Sequence, residues 1–164
     1  MIGLIGSIGS IGSIGSIGSI GSIVREALVP NTLDHVIVHC HDQKATAAFL
    51  SDLMDAPAPA DWGPFTQVQT ANGVGIDFLD SQVAPDAING SHVAFLVTDE
   101  EFDAIFDRIQ QRSVRYWADP YRAKEGEINH HWGGRGLYVL DPGGTVAIEF
   151  MTVTYGALED MGTE

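Results

Sequence analysis

The stretch that decides the fold is LDHVIVHCHDQKATAAFLSDLM, residues 33–54. Its first part is rich in β-branched side chains and predicts a β-strand over residues 33–40. Asp42 follows at the position of a helix N-cap, and the apolar spacing after it predicts a helix over Gln43–Met54. This stretch therefore predicts a strand that leads directly into a helix.

The same plan returns in SHVAFLVTDEEFDAIFDRIQQR, residues 91–112. A shift of 57 positions places His92 on His35. Thr98 or Asp99 is the expected cap of a second helix over residues 100–112, whose apolar residues recur at i, i+3, i+4 and i+7. Self-similarity of this kind indicates two diverged copies of one β-α-β-β unit.

Each copy continues into shorter strands that are separated by turn signals. The first copy has predicted strands at 65–70 and 74–79, after a Pro/Ala-rich loop at 56–63 that stands where a further strand is expected. The second has predicted strands at 114–117, 136–140 and 146–152, with a long loop at 118–134. The last strand of each copy carries a carboxylate, Asp77 in the first and Glu149 in the second.

Alternation along the strands places the chemically active side chains on one face. His35 and His39 lie opposite Val36 and Val38, because successive strand residues point to opposite sides of a sheet. His92, Asp77 and Glu149 likewise oppose apolar neighbours. A curved sheet with helices on its convex side would direct this polar face into its concavity.

Two imidazoles and one or two carboxylates in such a concavity suit a divalent metal ion, because a buried charge without a partner is costly. Histidine nitrogens and carboxylate oxygens are ligands for Fe, Mn, Zn, Ni or Co. The metal ligands predicted from the sequence are His35, His92, Glu149 and Asp77. The alternative is that both histidines form hydrogen bonds to Asp77 or Glu149 without any metal.

Composition limits the other classes of function. The chain has 164 residues, 8 Lys and Arg against 22 Asp and Glu, and a formal net charge of −14. Such an acidic surface repels phosphate backbones and anionic lipids, so neither nucleic acid nor a membrane is an expected partner. The single cysteine, Cys40, excludes an intrachain disulfide and fits a reducing, cytoplasmic compartment.

Low-complexity sequence precedes the two copies. Residues 1–28 consist mainly of an Ile-Gly-Ser repeat, which lacks the basic start and the unbroken apolar run of a secretion signal, and predict a flexible leader. The folded domain is predicted over residues 31–155, with modules at 31–80 and 90–155, and an acidic tail over 156–164.

The stretches 33–54 and GRGLYVLDPGGTVAIEFMT, residues 134–152, resemble the opening and closing motifs of the vicinal oxygen chelate superfamily. That superfamily includes glyoxalase I, bleomycin-resistance proteins, fosfomycin-resistance thiol transferases and extradiol dioxygenases. The resemblance covers residues 31–154 and implies an α+β fold of paired βαβββ modules that form a curved mixed sheet. It also implies a homodimer, in which a site is sometimes built from two chains.

The resemblance maps the family's metal ligands onto His35, His92 and Glu149, and places Asp77 where glyoxalase I-like members have a longer Glu. It implies a divalent-metal-dependent enzyme, a lyase or an oxidoreductase, that chelates two adjacent oxygens of a small substrate. The alternative is a bleomycin-resistance-type protein that sequesters a drug or metabolite without catalysis.

Four further residues are candidates for the site. His39 shares the face of His35 and is a candidate acid or base beside Glu149, although a solvent-facing strand end is the simpler interpretation. Trp117, His131 and Arg135 are candidates for substrate binding. For these three, the simpler interpretations are a core edge, a solvated loop and a surface ion pair.

Overall fold

The computed structural model describes residues 32–154, and those from Leu33 onward belong to one compact unit. The predicted leader at 1–28 and the predicted tail at 156–164 lie outside the described residues. The elements, in chain order, are β1 (His35–His39), α1 (Gln43–Met54), β2 (Ala60–Trp62), β3 (Phe65–Gln69), β4 (Gly75–Leu79), β5 (Ser91–Leu96), α2 (Asp99–Gln111), β6 (Tyr116–Trp117), β7 (Gly136–Leu140) and β8 (Val146–Met151).

Both helices begin at side-chain caps. The Asp42 carboxylate accepts a hydrogen bond of 2.9 Å from the Ala45 amide, and α1 has the predicted bounds. Thr98 and Glu101 form a reciprocal capping box that starts α2 at Asp99, one residue before the predicted start. These local signals explain why the helix ends are readable in the sequence.

The strands form two four-stranded mixed sheets, with the orders β1-β4-β3-β2 and β5-β8-β7-β6. In each sheet the first strand pairs in parallel with the last, and the other pairs are antiparallel. This βαβββ plan, present twice, confirms the predicted α+β fold class. The sequence predicted one curved mixed sheet. The strands instead form two separate sheets, and β1 and β5 are each an edge strand of their own sheet.

The segment at 56–63, where a loop was predicted, contains the short strand β2. Its three exposed residues pair with β3 in an antiparallel arrangement. Pro57 and Pro59 precede it, and proline has no amide hydrogen for a sheet hydrogen bond. The strand therefore begins only after the second proline.

One hydrophobic core contains residues of both helices and both sheets. Its largest fully buried side chains include Leu50, Phe78, Phe102, Ile148 and Phe150. The apolar face of each sheet lies against this core, as the alternation predicts, and the opposite face remains available for a site. None of the helices in residues 32–154 is long and apolar enough to span a membrane.

Candidate functional site

His92 and Glu149 form a close pair on the face of the second sheet that is opposite the core. They lie on the parallel neighbours β5 and β8, and His92 Nε2 is 3.1 Å from Glu149 Oε2. The Glu149 side chain is buried, with a residue exposure of 3%, whereas the imidazole remains accessible. Tyr138 of β7 lies directly opposite Glu149, and its ring centroid is 5.8 Å from that of His92.

His35 and Asp77 occupy the equivalent strands of the first sheet, but their hydrogen bonds differ. Asp77 is 3% exposed, and its Oδ1 accepts a hydrogen bond of 2.7 Å from Nε2 of Gln67, the residue opposite it on β3. The His35 imidazole instead meets the Asp34 carboxylate, with 2.8 Å between Nδ1 and Oδ2. Among the described residues of the first sheet, no hydrogen bond like that between His92 and Glu149 joins His35 to Asp77.

The environment of His35 favours its protonated form. The hydrogen bond that the His35 imidazole donates to Asp34 raises the pKa of the imidazole above its ordinary value. Burial opposes this effect, and the negative charges of Asp77 and Asp34 add to it. His35 therefore loses its proton less readily than an ordinary histidine, and a metal ion would have to displace that proton to bind its ring.

The two His–carboxylate pairs supply the donor types that a divalent ion takes, since imidazole nitrogen and carboxylate oxygen both suit Fe, Mn, Zn, Ni and Co. Each sheet supplies two of the four predicted ligands. Within residues 32–154 of a single chain, no three His, Cys, Asp or Glu side chains lie close enough to hold one ion. The donor chemistry fits a metal, and completing a set of three requires donors from both sheets.

His39 lies on β1, four residues beyond His35 and therefore on the same strand face. Its Nδ1 atom is buried and has no hydrogen-bond partner among the described residues. Nothing in the fold therefore accounts for this nitrogen, which keeps His39 as a candidate acid or base.

Trp117 lies in the same cross-strand row as Glu149. It is opposite Tyr138, which is in turn opposite Glu149, and its exposure is only 5%. His131, by contrast, is exposed in a short 3₁₀ turn, where its ring is 5.4 Å from that of Trp132. The structure thus brings Trp117 to the predicted face and leaves His131 in the long loop.

Arg135, a candidate for substrate binding in the sequence, packs against α2. Its guanidinium donates hydrogen bonds to Asp99 and Asp103 of α2, at 2.7 and 2.5 Å, and lies 4.6 Å from the Phe102 ring centroid. These contacts hold it on the helix side of the second sheet and raise the pKa of the guanidinium. Its Nε, Nη1 and Nη2 atoms all donate to these two acidic residues, so the structure favours the ion pair, the simpler interpretation of the sequence, over substrate binding.

Gln67 and Tyr138 also lie on the sheet faces that carry the histidines and carboxylates, and the sequence did not single them out as site residues. Each lies opposite the carboxylate on the neighbouring antiparallel strand, Gln67 opposite Asp77 and Tyr138 opposite Glu149. The signal that identifies them is the hairpin register, because residues directly opposite each other on one face are neighbours.

Comparison with known proteins agrees with this architecture. The family model described as the Glyoxalase/Bleomycin resistance protein/Dioxygenase superfamily matches residues 32–150. The chain therefore belongs to this superfamily, as the opening and closing motifs predict. A comparison with curated proteins found no match.

Among solved structures, the chain is similar to oxidase ChaP-H1, with 44% identity and a TM-score of 0.71 over 77% of this chain and 99% of that one. Oxidase ChaP-H2 is 46% identical, with a TM-score of 0.71 over 78% of this chain and 98% of that one. A lactoylglutathione lyase from Agrobacterium tumefaciens, at 16% identity and a TM-score of 0.57 over 75% of this chain and 94% of that one, shares the fold alone.

Proposed function

We propose that this protein is a divalent-metal-dependent enzyme of the oxidase type that acts on a small molecule through two adjacent oxygen atoms. The observation that carries the proposal is the His92–Glu149 pair, a buried carboxylate 3.1 Å from an accessible imidazole. The repeat of a histidine and a carboxylate on the same two strands of the first sheet supports it. The similarity to two proteins named oxidases, at 44 and 46% identity, favours oxidation over isomerisation.

The residues proposed to hold the metal are His35, His92 and Glu149. A bound ion would act as a Lewis acid toward the two substrate oxygens and stabilise negative charge on them. Because these residues belong to different sheets, we propose that the site is completed in a homodimer, where one chain supplies β1 and the other supplies β5 and β8.

Two features of the surface support a second copy of this chain as the partner. Edge strands β1 and β5 expose the apolar side chains of Ile37 and Leu96, at 49 and 62%. An open groove of about 1730 Å³ is lined by residues of both strands. Unpaired strand edges and exposed apolar side chains are features that association covers.

The other residues of the face are assigned roles around the reacting atoms. The unpartnered Nδ1 of His39 is proposed to take a proton from a substrate hydroxyl, a role that suits an imidazole near neutral pH. Trp117 and Tyr138 are proposed to form the wall beside Glu149. The single buried Cys40 is consistent with a cytoplasmic location, which is part of the proposal.

The experiment that tests this function is a measurement of bound metal by mass spectrometry after purification and dialysis against each divalent ion. Wild-type protein is expected to retain about one ion per chain, and His92→Ala to lose it, because a ligand has been removed. His130→Ala is the matched control, since His130 is an exposed histidine outside the strands, and it is expected to retain the ion.

If wild-type protein retains no ion under any supplement, metal dependence is excluded. The chain would then be a binding protein of the bleomycin-resistance type. If His92→Ala retains as much metal as His130→Ala, the proposed ligand set is wrong.

A further inference from the structure

The first sheet contains a polar contact between a glutamine side chain and the carboxylate of its last strand. The Gln67 side chain donates from Nε2 to Asp77 Oδ1 at 2.7 Å, across the antiparallel pair β3 and β4. The nitrogen assignment follows from chemistry, since an ionised carboxylate only accepts hydrogen bonds. A charge-assisted hydrogen bond of this length restricts the orientation of the carboxylate.

Gly75 provides the space in which the Gln67 amide lies. A Cβ atom at this position would stand 2.7 Å from Gln67 Nε2 and 3.3 Å from the Cβ of His35. The amide therefore occupies the space above Gly75, beside His35 as well as Asp77. The equivalent position of the second sheet is Ala147, which pairs with His92 as Gly75 pairs with His35.

The two pairs of histidine and carboxylate occupy equivalent strand positions, but their hydrogen bonds differ. In the second sheet the imidazole contacts the carboxylate directly, with 3.1 Å between His92 and Glu149. In the first sheet a glutamine amide contacts the carboxylate, and the imidazole of His35 hydrogen-bonds to Asp34 instead. Asp77 also has a side chain one methylene shorter than that of Glu149.

We propose that Gln67 is a positioning residue that holds Asp77 out of the metal's ligand set. The inference rests on the proposed function and deepens it. With Asp77 bound by Gln67, His35, His92 and Glu149 would be the ligands that the protein supplies, and the bound ion would remain open to the two substrate oxygens.

The test is calorimetric titration of the metal-free, full-length protein with Co²⁺. Asp77→Asn is expected to change the dissociation constant by less than about tenfold, because the residue is not a ligand, whereas Glu149→Gln weakens binding by about 100-fold or more. Gln67→Leu is expected to tighten Co²⁺ binding by about tenfold, because it frees Asp77. The double variant Gln67→Leu/Asp77→Asn is expected to lose that gain.

Gln69→Leu is the matched control, since Gln69 lies on the same face of β3 two residues away and is exposed. It is expected to leave the dissociation constant unchanged. Should Gln67→Leu fail to fold, Gln67→Met replaces it, because methionine has a similar length and no N–H donor. The hydrogen bond is checked without metal by NMR, where Asp77→Asn is expected to shift the Gln67 side-chain amide signals and leave those of Gln69 in place.

The inference is overturned if Asp77→Asn weakens Co²⁺ binding as much as Glu149→Gln does. It is equally overturned if Gln67→Leu leaves binding unchanged or weakens it. A wild-type protein that binds no divalent ion contradicts the proposed function itself, and the NMR comparison then still decides whether Gln67 holds Asp77.

Discussion

His35 and His92 occupy equivalent positions on β1 and β5, yet their acidic neighbours differ. His92 contacts Glu149 from a neighbouring strand, whereas His35 contacts Asp34, the residue directly before it. At the scale of single residues, the two copies have therefore diverged in what surrounds a shared histidine. The pKa of His35 is raised by this local contact, and the effect is open to measurement.

We predict that Asp34→Asn lowers the pKa of His35 in the metal-free protein, because a hydrogen bond donated to a carboxylate favours the imidazolium. A histidine whose pKa is raised by folding adds stability below its unfolded-state pKa. That contribution disappears as the pH rises through the folded-state pKa. The stability difference between wild type and Asp34→Asn should therefore be largest in mild acid, above the ordinary pKa range of carboxyl groups and below the unfolded-state pKa of histidine, and vanish above the raised pKa.

An NMR titration of the His35 ring signals measures the pKa, and urea unfolding over the same pH range measures the stability difference. Asp107→Asn on α2 is the control, because it makes the same change in net charge at an exposed position. An unchanged His35 titration in Asp34→Asn would show that the hydrogen bond does not influence the imidazole.

At the scale of elements, the turn between β7 and β8 is connected to α1 by a buried hydrogen bond. Thr46 Oγ1 donates to Asp141 Oδ2 at 2.8 Å, and both residues are buried. Asp141 Oδ1 also accepts from the amides of Thr145 and Val146, at 2.7 and 2.8 Å. The carboxylate thus organises the turn that precedes the strand of Glu149, and it joins the second sheet to the helix of the first copy.

We predict that Thr46→Val lowers the free energy of unfolding by about 2 kcal/mol, because it leaves a buried carboxylate with one donor fewer at nearly constant volume. Thr145→Val makes the same chemical change and is the matched control. The hydroxyl of Thr145 is buried and has no hydrogen-bond partner among the described residues, so this change should be neutral or stabilising.

Chemical unfolding of the two variants in parallel measures the free energy of unfolding that each one loses relative to wild type. Equal losses of stability in both would mean that the contact between Thr46 and Asp141 contributes nothing beyond packing.

At the scale of the whole molecule, the predicted ligands are divided between two sheets. His35 lies on the edge strand of the first sheet, and His92 lies on the edge strand of the second. Each edge exposes apolar side chains that a second chain would cover. A homodimer with shared sites is therefore the arrangement that we propose for bringing three ligands together.

Complementation tests whether one site takes residues from two chains. His35→Ala and Glu149→Ala are each expected to lose metal as purified variants. When the two are co-expressed with different tags, the isolated heterodimer is expected to bind one ion, because one of its two sites then combines an intact β1 with an intact β8.

The measurement is the metal content of the doubly tagged species, and light scattering should give twice the 17.6 kDa chain mass. Heterodimers without metal would indicate that each site is built within one chain. A wild-type protein with the mass of a single chain would remove the dimer from the proposal.

The secondary structure was largely predictable because its signals are local. Asp42 and the capping box at Thr98 set the helix starts, and alternation along β1 and β5 sorted their residues into two faces. The strand within 56–63 was not predicted, since three exposed residues after two prolines carry little periodicity. The division into two four-stranded sheets was also beyond local signals, because it depends on which strands pair.

The candidate site was predictable in part for the same reason. Repetition over 57 positions and strand alternation placed His35 and His92, with a carboxylate for each, on one face. The sequence did not indicate that Gln67 contacts Asp77, because that contact follows from the register of β3 with β4. Nor did it assign Arg135 to Asp99 and Asp103, since the three meet only when α2 packs on the second sheet.

The sequence by itself therefore determined the two copies, the helix ends and the face on which each histidine and carboxylate lies. These properties depend on interactions between residues a few positions apart, on backbone alternation and on the repeat. The tertiary structure decided which neighbour each of these groups has: Glu149 for His92, Gln67 for Asp77 and the acidic residues of α2 for Arg135. Hydrogen bonds of this kind join residues far apart in the chain, and their geometry exists only after strands and helices have packed.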